Sequence, residues 1–377
     1  MMSLAWIIKS RVIVIPLMFT FMLIGLITNL FQALCLPLWW IGQRQLYRRI
    51  NTWIVYWFWC VLPWALESWA GYTVNVYGDV EVIKKYQNSE HAICVLNHRG
   101  DLDWMIGWVM IERAGMLGGA KAFLKDSTKY LPVVGWSFWL MEFPMLKRNW
   151  EHDEQCLSTA SARLADYPIK MLMCIFPEGS RFTVEKHEAS KQFCKERGLQ
   201  PLKHHLYPRT KGFSYAVKNM DYVGAVYDVT FGFKEGEPSI LGVMNAEPCQ
   251  VDMLIRRIDI KDVPTSNEKE SSKWLVDIFR EKDDLVDYYN EHQRFPPEYE
   301  LTTITKRPWA RLVVSIWLTL LTLPMMAGLV YTLIFGSWTV LIIVGAILFI
   351  VNYMFRRLCK ATAERSQHGL TTNRRYQ

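Results

Sequence analysis

Two long stretches of the chain contain no charged residue, one near each end, at residues 12–41 and 312–355. A membrane-spanning helix needs about 20 apolar residues. The first stretch therefore predicts one long or bent helix, and the second predicts two helices that turn near Gly336 and Ser337. We expect the first stretch to be a retained anchor, because it exceeds the roughly 7 to 15 apolar residues of a signal peptide.

Between these stretches, short apolar runs of the length and composition of β-strands alternate with segments that have helical spacing. This alternation predicts an α/β core. The clearest helices are predicted at residues 151–167 and 271–290. The predicted strands lie at residues 72–77, 92–96, 171–176, 223–233 and 251–260.

The change in pattern divides the chain into three parts. Residues 1–70 are expected to form an N-terminal membrane anchor, residues 71–305 a globular domain, and residues 306–377 a transmembrane hairpin with a basic tail. Within the first part, residues 53–69 are aromatic and aliphatic but are interrupted by Pro63 and Glu67. We interpret this segment as a helix at the membrane interface, with a helix of the protein core as the alternative.

Composition and charge agree with a membrane protein. Hydrophobic residues make up 51% of the 377, and the net charge is +7. Many of the basic residues flank the apolar stretches, so we expect contact with a membrane surface and no binding of nucleic acid. Basic residues on both sides of the second stretch predict that both flanks face the cytosol, whereas the first stretch leaves its orientation open. The 8 cysteines include no Cys-x-x-Cys pair, so no disulfide framework is expected.

The first candidate for chemistry is the sequence NHRGDLD at residues 97–103, which directly follows a predicted strand. On a continuous helix, residues five apart lie about 140° apart around the axis. His98 and Asp103 can therefore meet only if Gly100 makes a turn before the next helix. In that arrangement the carboxylate orients the imidazole of a general base. The alternative is that Asp101 or Asp103 only caps the helix and His98 is a surface residue.

The second candidate, FPEGSR at residues 176–181, also follows a predicted buried strand. Arg181 offers a fork of donors that matches phosphate oxygens, and Gly179 allows a close approach of the backbone. Glu178 is expected either to hold the arginine or to bind a substrate hydroxyl. The alternative is a turn with a surface Glu–Arg ion pair.

Three further segments are open to two interpretations. The sequences FPMLKR at residues 143–148 and YPRTKGF at residues 207–213 each fit an anion site or an ordinary basic segment. The apolar helix-like segment at residues 104–111 fits core packing better than the wall of an acyl tunnel. No histidine near these motifs has metal-ligand spacing, so we expect no metal.

Taken in order, NHRGDLD, MLKR, FPEGSR and YPRTKGF resemble the four sequence blocks of the glycerolipid acyltransferases. The likeness is to the 1-acylglycerol-3-phosphate acyltransferases in particular, in the eukaryotic branch with C-terminal membrane helices, and it covers roughly residues 90–235. The resemblance implies a glycerolipid-acyltransferase-like α/β core with an N-terminal membrane helix and interfacial helix, and a C-terminal transmembrane hairpin.

Carried over to this chain, the resemblance makes His98 the general base and Asp103 its partner. Pro208 would shape the acyl-donor side of the cleft, and Lys211 would contact a phosphate or coenzyme A. The chain differs from the common pattern by Ser180 in place of threonine and by a second acid, Asp101. The residues implied in acceptor binding are Arg148, Glu178, Gly179, Ser180 and Arg181.

The activity implied by the resemblance is direct acyl transfer from acyl-coenzyme A to the free sn-2 hydroxyl of a lysophospholipid, without a cofactor. Lysophosphatidic acid is the first acceptor expected, with lysophosphatidylinositol and lysocardiolipin as alternatives.

A covalent route through Cys94 is disfavoured because a thiol in an apolar strand stays protonated. A membrane lipid hydrolase or phosphatase and a non-enzymatic membrane adaptor are the competing classes. The family implies the endoplasmic reticulum membrane, and the oligomeric state stays open.

Overall fold

The first apolar stretch forms a nearly continuous helix in the computed structural model, which describes residues 11–86, 88–147, 149–234, 236–302 and 304–346, with residues 349 and 353. Helix α1 spans Arg11–Leu34 and α2 spans Leu36–Trp40, with Pro37 in the first turn of α2. A proline is tolerated there because the first N–H groups of a helix have no intrahelical partner. The segment Val14–Trp40 is long and apolar enough to cross a membrane.

The next helices pack into the protein core. Helix α3 spans Arg44–Trp59, α4 spans Val61–Trp64, and a π-helical turn follows at Ala65–Trp69. Phe58 and Trp59 are fully buried in a core cluster, whereas Trp53 on the other face is exposed. One face of residues 53–69 therefore packs in the protein core, and the position of the exposed face at the membrane interface stays a prediction.

The central element is a mixed seven-stranded sheet with the order β3-β6-β2-β7-β8-β1-β9. Strands β3, β6, β2 and β7 are mutually parallel, and β8 runs antiparallel to β7. A separate parallel pair, β4 with β5, lies outside this sheet. The strands are β1 Thr73–Tyr77, β2 His91–Leu96, β3 Ala120–Ala122, β4 Leu124–Lys125, β5 Met145–Leu146, β6 Leu172–Ile175, β7 Val223–Phe233, β8 Gln250–Asp259 and β9 Leu301–Thr302.

The helices of the domain lie on both faces of the sheet. Along β2, Ile93 and Val95 belong to one core cluster, and Cys94 and Leu96 belong to the other, as the alternation of side chains along a strand requires. The helices are α5 Val80–Tyr86, α6 Asp103–Arg113, α7 Val134–Leu140, α8 Trp150–Leu164, α9 Val184–Glu196, α10 Lys211–Asn219, α11 Ile240–Met244 and α12 Glu268–His292.

The predicted α/β core is confirmed. All five predicted strands are present, and their observed ends differ from the predicted ones by no more than one residue. Both predicted helices are present as α8 and α12. Strands β3 and β9 were missed because runs of three and two residues are too short to carry a periodic pattern.

The second apolar stretch begins as a helix and turns where predicted. Helix α13 at Pro308–Trp317 continues through a π-helical turn at Leu318–Thr322 into α14 at Leu323–Phe335, so that 28 residues are long and apolar enough to cross a membrane. Gly336 is extended and ends α14, and helix resumes at residues 338–346. The basic tail predicted after residue 353 lies outside the described residues.

Candidate active site

The two main candidate motifs meet at one edge of the sheet. Strands β2 and β6 are parallel neighbours, with Cys94 opposite Cys174. The loops that follow them therefore leave the sheet side by side. His98 comes two residues after the end of β2, and Glu178 comes three residues after the end of β6. This carboxyl edge is the usual position for a ligand in an α/β sheet.

His98 and Asp103 form the predicted pair. The Nδ1 atom of His98 lies 2.9 Å from Oδ2 of Asp103, which is the first residue of α6. The same oxygen accepts the backbone N–H of Gly100 at 2.8 Å, so the turn at Gly100 is tied to the carboxylate. With the Nδ1 hydrogen donated to Asp103, the Nε2 lone pair of His98 is left to accept a proton. The alternative in which Asp103 only caps the helix does not account for this contact.

Asp103 is buried beside His98. It is 1% exposed, and no described residue donates a hydrogen bond to its Oδ1 atom. Burial raises the pKa of Asp103, while the hydrogen bond and charge of His98 oppose the rise. A buried carboxylate with one unsatisfied oxygen gains most when its neighbour becomes a cation. Such a pair is able to stabilise an imidazolium, as a general base requires once it has taken a proton.

Glu178 lies beside His98 but its carboxylate binds the backbone. Its Oε1 accepts the N–H of His98 at 2.6 Å, and its Oε2 accepts the N–H of Leu206 at 3.0 Å. Glu178 is 3% exposed, and both of its oxygens accept backbone N–H groups. The expected ion pair with Arg181 is not found among the described residues, where Arg181 pairs with Asp101, and binding of the acceptor by Glu178 stays a prediction. The two hydrogen bonds of Glu178 join the loop that carries His98 to a segment that lies 28 residues further along the chain.

The charge state of Glu178 predicts a pH effect on stability. Burial raises the pKa of Glu178 to about 7, although the N–H groups of Leu206 and His98 oppose the rise. Because the folded pKa lies above the unfolded value, folding takes up a proton between these values, and this stabilising contribution is lost as pH rises through about 7. We expect the free energy of unfolding of the wild type to fall more steeply between pH 5 and 7 than that of Glu178→Gln.

Denaturant unfolding of the purified protein at several pH values measures this difference. The control is Glu247→Gln, because the Glu247 carboxylate is exposed and lies near α11. This substitution should leave the slope of the free energy of unfolding against pH unchanged. Parallel curves for the wild type and Glu178→Gln would show that Glu178 does not titrate in this range.

The remaining residues of the FPEGSR block have separate positions. Gly179 has a φ of +72°, and a Cβ there would lie 3.1 Å from the Cδ of Arg209, so glycine permits both the turn and the close approach. Ser180 lines the cavity described below. Arg181 forms an ion pair with Asp101 and is 17% exposed. Asp101 therefore pairs with Arg181, and Asp103 is the carboxylate that contacts His98.

The two basic blocks are only partly in view. Arg148 lies outside the described residues. Pro208 is buried, and Lys211 is exposed with its Nζ 5.3 Å from the ring centre of Trp150. Lys211 and its neighbour Arg209 line the cavity, whereas Pro208 is not among its lining residues.

A cavity of about 790 Å³ opens at His98. One wall is apolar and comes from α6, with Trp104, Gly107 and Ile111 among its residues. Other members of residues 104–111 are buried in the core, so this helix both packs and lines the cavity. The cationic residues that line the cavity are Lys121, Lys125, Arg209 and Lys211.

Lys121 was missed in the sequence because β3 was missed. It is fully buried, and its Nζ donates to the carbonyl of Met141 at 2.6 Å and to the hydroxyl of Tyr167 at 3.0 Å. Burial lowers the pKa of Lys121 to about 7. Its only signal in the sequence was a lone lysine in the apolar, glycine-rich run LGGAKAF.

Comparison with known proteins assigns the family. The acyltransferase family model matches residues 74–234, and the acyltransferase C-terminus model matches residues 242–317. The chain is 36% identical to the 1-acyl-sn-glycerol-3-phosphate acyltransferase gamma of Homo sapiens over 91% of each chain, and 36% identical to that of Pongo abelii over 96% of each chain. It is also 37% identical to the 1-acyl-sn-glycerol-3-phosphate acyltransferase 2 of Brassica napus, over 87% of this chain and 84% of that one. His98, paired with Asp103, lines a largely apolar cavity, and these enzymes match the chain along almost its whole length. The protein therefore belongs to the 1-acyl-sn-glycerol-3-phosphate acyltransferase family.

Proposed function

We propose that this enzyme transfers a fatty acyl group from acyl-coenzyme A to the free hydroxyl of lysophosphatidic acid, which yields phosphatidic acid. The observation that carries the proposal is the position of His98, which is bound to Asp103 and opens onto the cavity. The apolar wall suits an acyl chain, and the cationic residues suit phosphate groups. The names of the curated relatives support this acceptor.

In the proposed reaction, Nε2 of His98 takes the proton of the acceptor hydroxyl while the hydroxyl oxygen attacks the thioester carbonyl carbon. Asp103 stabilises the resulting imidazolium. The tetrahedral intermediate then collapses, the carbon–sulfur bond breaks, and the imidazolium returns the proton to the departing thiolate. The products are the acylated lipid and free coenzyme A, and no cofactor enters the balance.

The charges at the cavity support a donor with several phosphates. Lys125, Arg209 and Lys211 come from different elements but line the same cavity. Coenzyme A carries phosphates at a distance from its thioester, so a cavity that holds this donor needs cations as well as a base. The acceptor phosphate has its own candidates in Ser180 and in Arg181, whose ion pair with Asp101 would have to exchange for the ligand.

The two apolar helices and the family support a membrane setting. We propose that Val14–Trp40 and Pro308–Phe335 cross the bilayer of the endoplasmic reticulum and hold the cavity beside it. Both substrates carry acyl chains, so a site next to the bilayer avoids their transfer through water.

A competition assay with the purified full-length protein tests the proposal. Equal amounts of lysophosphatidic acid, lysophosphatidylinositol and lysocardiolipin are offered with one radiolabelled acyl-coenzyme A. We expect phosphatidic acid to be the main labelled lipid. If another acylated lipid is the main product, its lysophospholipid replaces lysophosphatidic acid as the acceptor. Labelled free fatty acid without any acylated lipid would instead identify a hydrolase. Omitting acyl-coenzyme A and supplying labelled phospholipid should give no product. Transfer under that condition would refute acyl-coenzyme A as the donor.

A further inference from the structure

The catalytic loop is tied, residue by residue, to one segment of the chain, residues 203–206. The side-chain nitrogen of Asn97 lies 3.4 Å from Nε2 of His205. The next residue, His98, reaches Leu206 through Glu178, whose two oxygens accept one backbone N–H from each. The third residue, Arg99, donates to the carbonyl of His204 at 3.2 Å. Three consecutive loop residues are therefore joined to three consecutive residues of the segment, Asn97 and Arg99 directly and His98 through Glu178. We refer to residues 203–206 as the clamp segment.

The clamp segment is in turn held by one carboxylate of α12. Asp283 accepts the backbone N–H of Lys203 at 2.6 Å and that of His204 at 2.8 Å, and Nδ1 of His205 lies 2.9 Å from it. Although burial alone would raise the pKa of Asp283, the hydrogen bonds from His205, Lys203 and His204 lower it. The carboxylate is therefore charged and accepts all three donors. A charged acceptor with three donors is a strong anchor in a buried setting.

The hydrogen bonds determine the form of His205. Its side chain is 0% exposed, and burial lowers its pKa to about 4. A neutral ring that donates from Nδ1 to Asp283 has a lone pair on Nε2. That lone pair accepts the side-chain N–H of Asn97, whose oxygen accepts the N–H of Phe231 in β7 at 2.9 Å. The order Asp283, His205, Asn97 thus fixes the orientation of the residue that immediately precedes His98.

We propose that His205 and Asp283 are positioning residues for acyl transfer, through which α12 holds the loop that carries His98. We refer to the contacts from Asp283 through His205 to Asn97 as the relay. Asp283 lies in the part of the chain matched by the acyltransferase C-terminus model, residues 242–317, so the relay gives that region a role in catalysis. Neither His205 nor Asp283 lines the cavity at His98. Both act on the rate through Asn97 and His98, and neither contacts the substrates. The inference rests on the proposed role of His98.

Steady-state kinetics of His205→Phe in the purified full-length protein test the relay. Phenylalanine retains the ring but has no acceptor for Asn97 and no donor for Asp283. We expect kcat to fall about 10- to 100-fold, since small displacements of a catalytic group cost factors of this size. The KM values for both substrates should stay within about twofold, because the cavity wall is unchanged. His205→Gln should recover most of kcat, since its amide donates to Asp283 and its carbonyl accepts from Asn97.

The matched control is His91→Phe at the other end of β2. His91 is half-buried, and its Nδ1 accepts the N–H of Met171 at 3.3 Å, far from the catalytic loop. The His91→Phe variant should lose thermal stability but keep the wild-type kcat per folded molecule. Equal losses of kcat in His91→Phe and His205→Phe would show a purely structural role and overturn the inference, as would a wild-type kcat in His205→Phe.

Two further measurements keep the outcomes separate. If His205→Phe does not fold, Asn97→Ala removes the same contact from the other side, and a wild-type kcat in that variant would equally overturn the relay. His98→Ala is measured in parallel. Full activity of His98→Ala would refute the proposed function itself, whereas an inactive His98→Ala beside a fully active His205→Phe would refute only the relay.

Discussion

Replacement of His98 by alanine should lower kcat for acyl transfer by about 10²- to 10⁴-fold, the range expected for loss of a general base. The side chain is 21% exposed, and its one polar contact among the described residues is with Asp103. The backbone N–H of His98 donates to Glu178, and its carbonyl accepts the N–H of Phe182. Both bonds are independent of the side chain and remain in the variant. The fold and membrane association should therefore persist. The measurement is single-turnover transfer of a radiolabelled acyl group at saturating acceptor.

Asp103→Asn and His292→Ala complete the design. The asparagine variant keeps the shape of the pair but removes the charge that stabilises the imidazolium, so kcat should fall while both KM values change little. His292 is exposed at the end of α12, and its replacement should have no effect on transfer. Transfer by His98→Ala at close to the wild-type rate would refute the assignment of the base. An equal loss in His292→Ala would show that the assay reports general damage.

Replacement of Asp228 by asparagine should have the largest effect on stability, about 3–5 kcal/mol lost from the free energy of unfolding. Asp228 in β7 forms ion pairs with Lys282 of α12 and Arg256 of β8, and both the Lys282 and the Asp228 side chains are almost completely buried. Within the described part of the chain, the other contacts of the Lys282 ammonium are with neutral oxygens, such as the carbonyl of Val229 at 2.6 Å. An amide at position 228 leaves this cation buried without a countercharge.

The pH dependence of the variant identifies the cause. Burial lowers the pKa of Lys282 in the wild type, against the opposing charge of Asp228. In Asp228→Asn the negative charge of Asp228 is removed, so the pKa of Lys282 in the folded state falls further below its value in the unfolded state. The unfolded state then binds the extra proton, and stability should rise with pH between about 7 and 9 more steeply than in the wild type. Denaturant unfolding at several pH values measures both effects.

Glu281→Gln is the matched control for Asp228→Asn. Its carboxylate pairs with the same Arg256 at 2.7 Å, but it is 54% exposed. Exposed pairs contribute about 0–1 kcal/mol, so its loss should be small and independent of pH in this range. A loss in Asp228→Asn no larger than that in Glu281→Gln would show that the buried pair carries no special weight.

The strands could be predicted because burial on both faces leaves a distinct pattern in the sequence. Strand β2 reads as an unbroken apolar run because Ile93 and Cys94 enter opposite core clusters. The same reasoning does not separate the two interpretations of residues 53–69. A membrane interface and a protein core both demand apolar and aromatic residues, so composition cannot distinguish Trp53, which is exposed, from Trp59, which is buried.

The candidate residues were identified by chemical type, and their partners were decided by distance in space. The five-residue spacing of His98 and Asp103, with a glycine between them, was enough to predict their contact, because a single turn joins them. Glu178 and Arg181 had the expected chemistry but not the expected neighbours. Their partners are the N–H groups of His98 and Leu206 and the carboxylate of Asp101, which lie 28 to 80 residues away along the chain.

The amino-acid sequence was enough to predict the two apolar helices, the α/β core, the family resemblance and the His98–Asp103 pair. Each of these depends on local composition, periodicity or a short spacing. Three contacts became visible in the folded chain alone: Glu178 holds the backbone, Lys121 lines the cavity, and α12 reaches the loop of His98 through His205. These contacts join segments from separate elements, and their free energy depends on burial and on hydrogen-bond geometry, which no local pattern specifies.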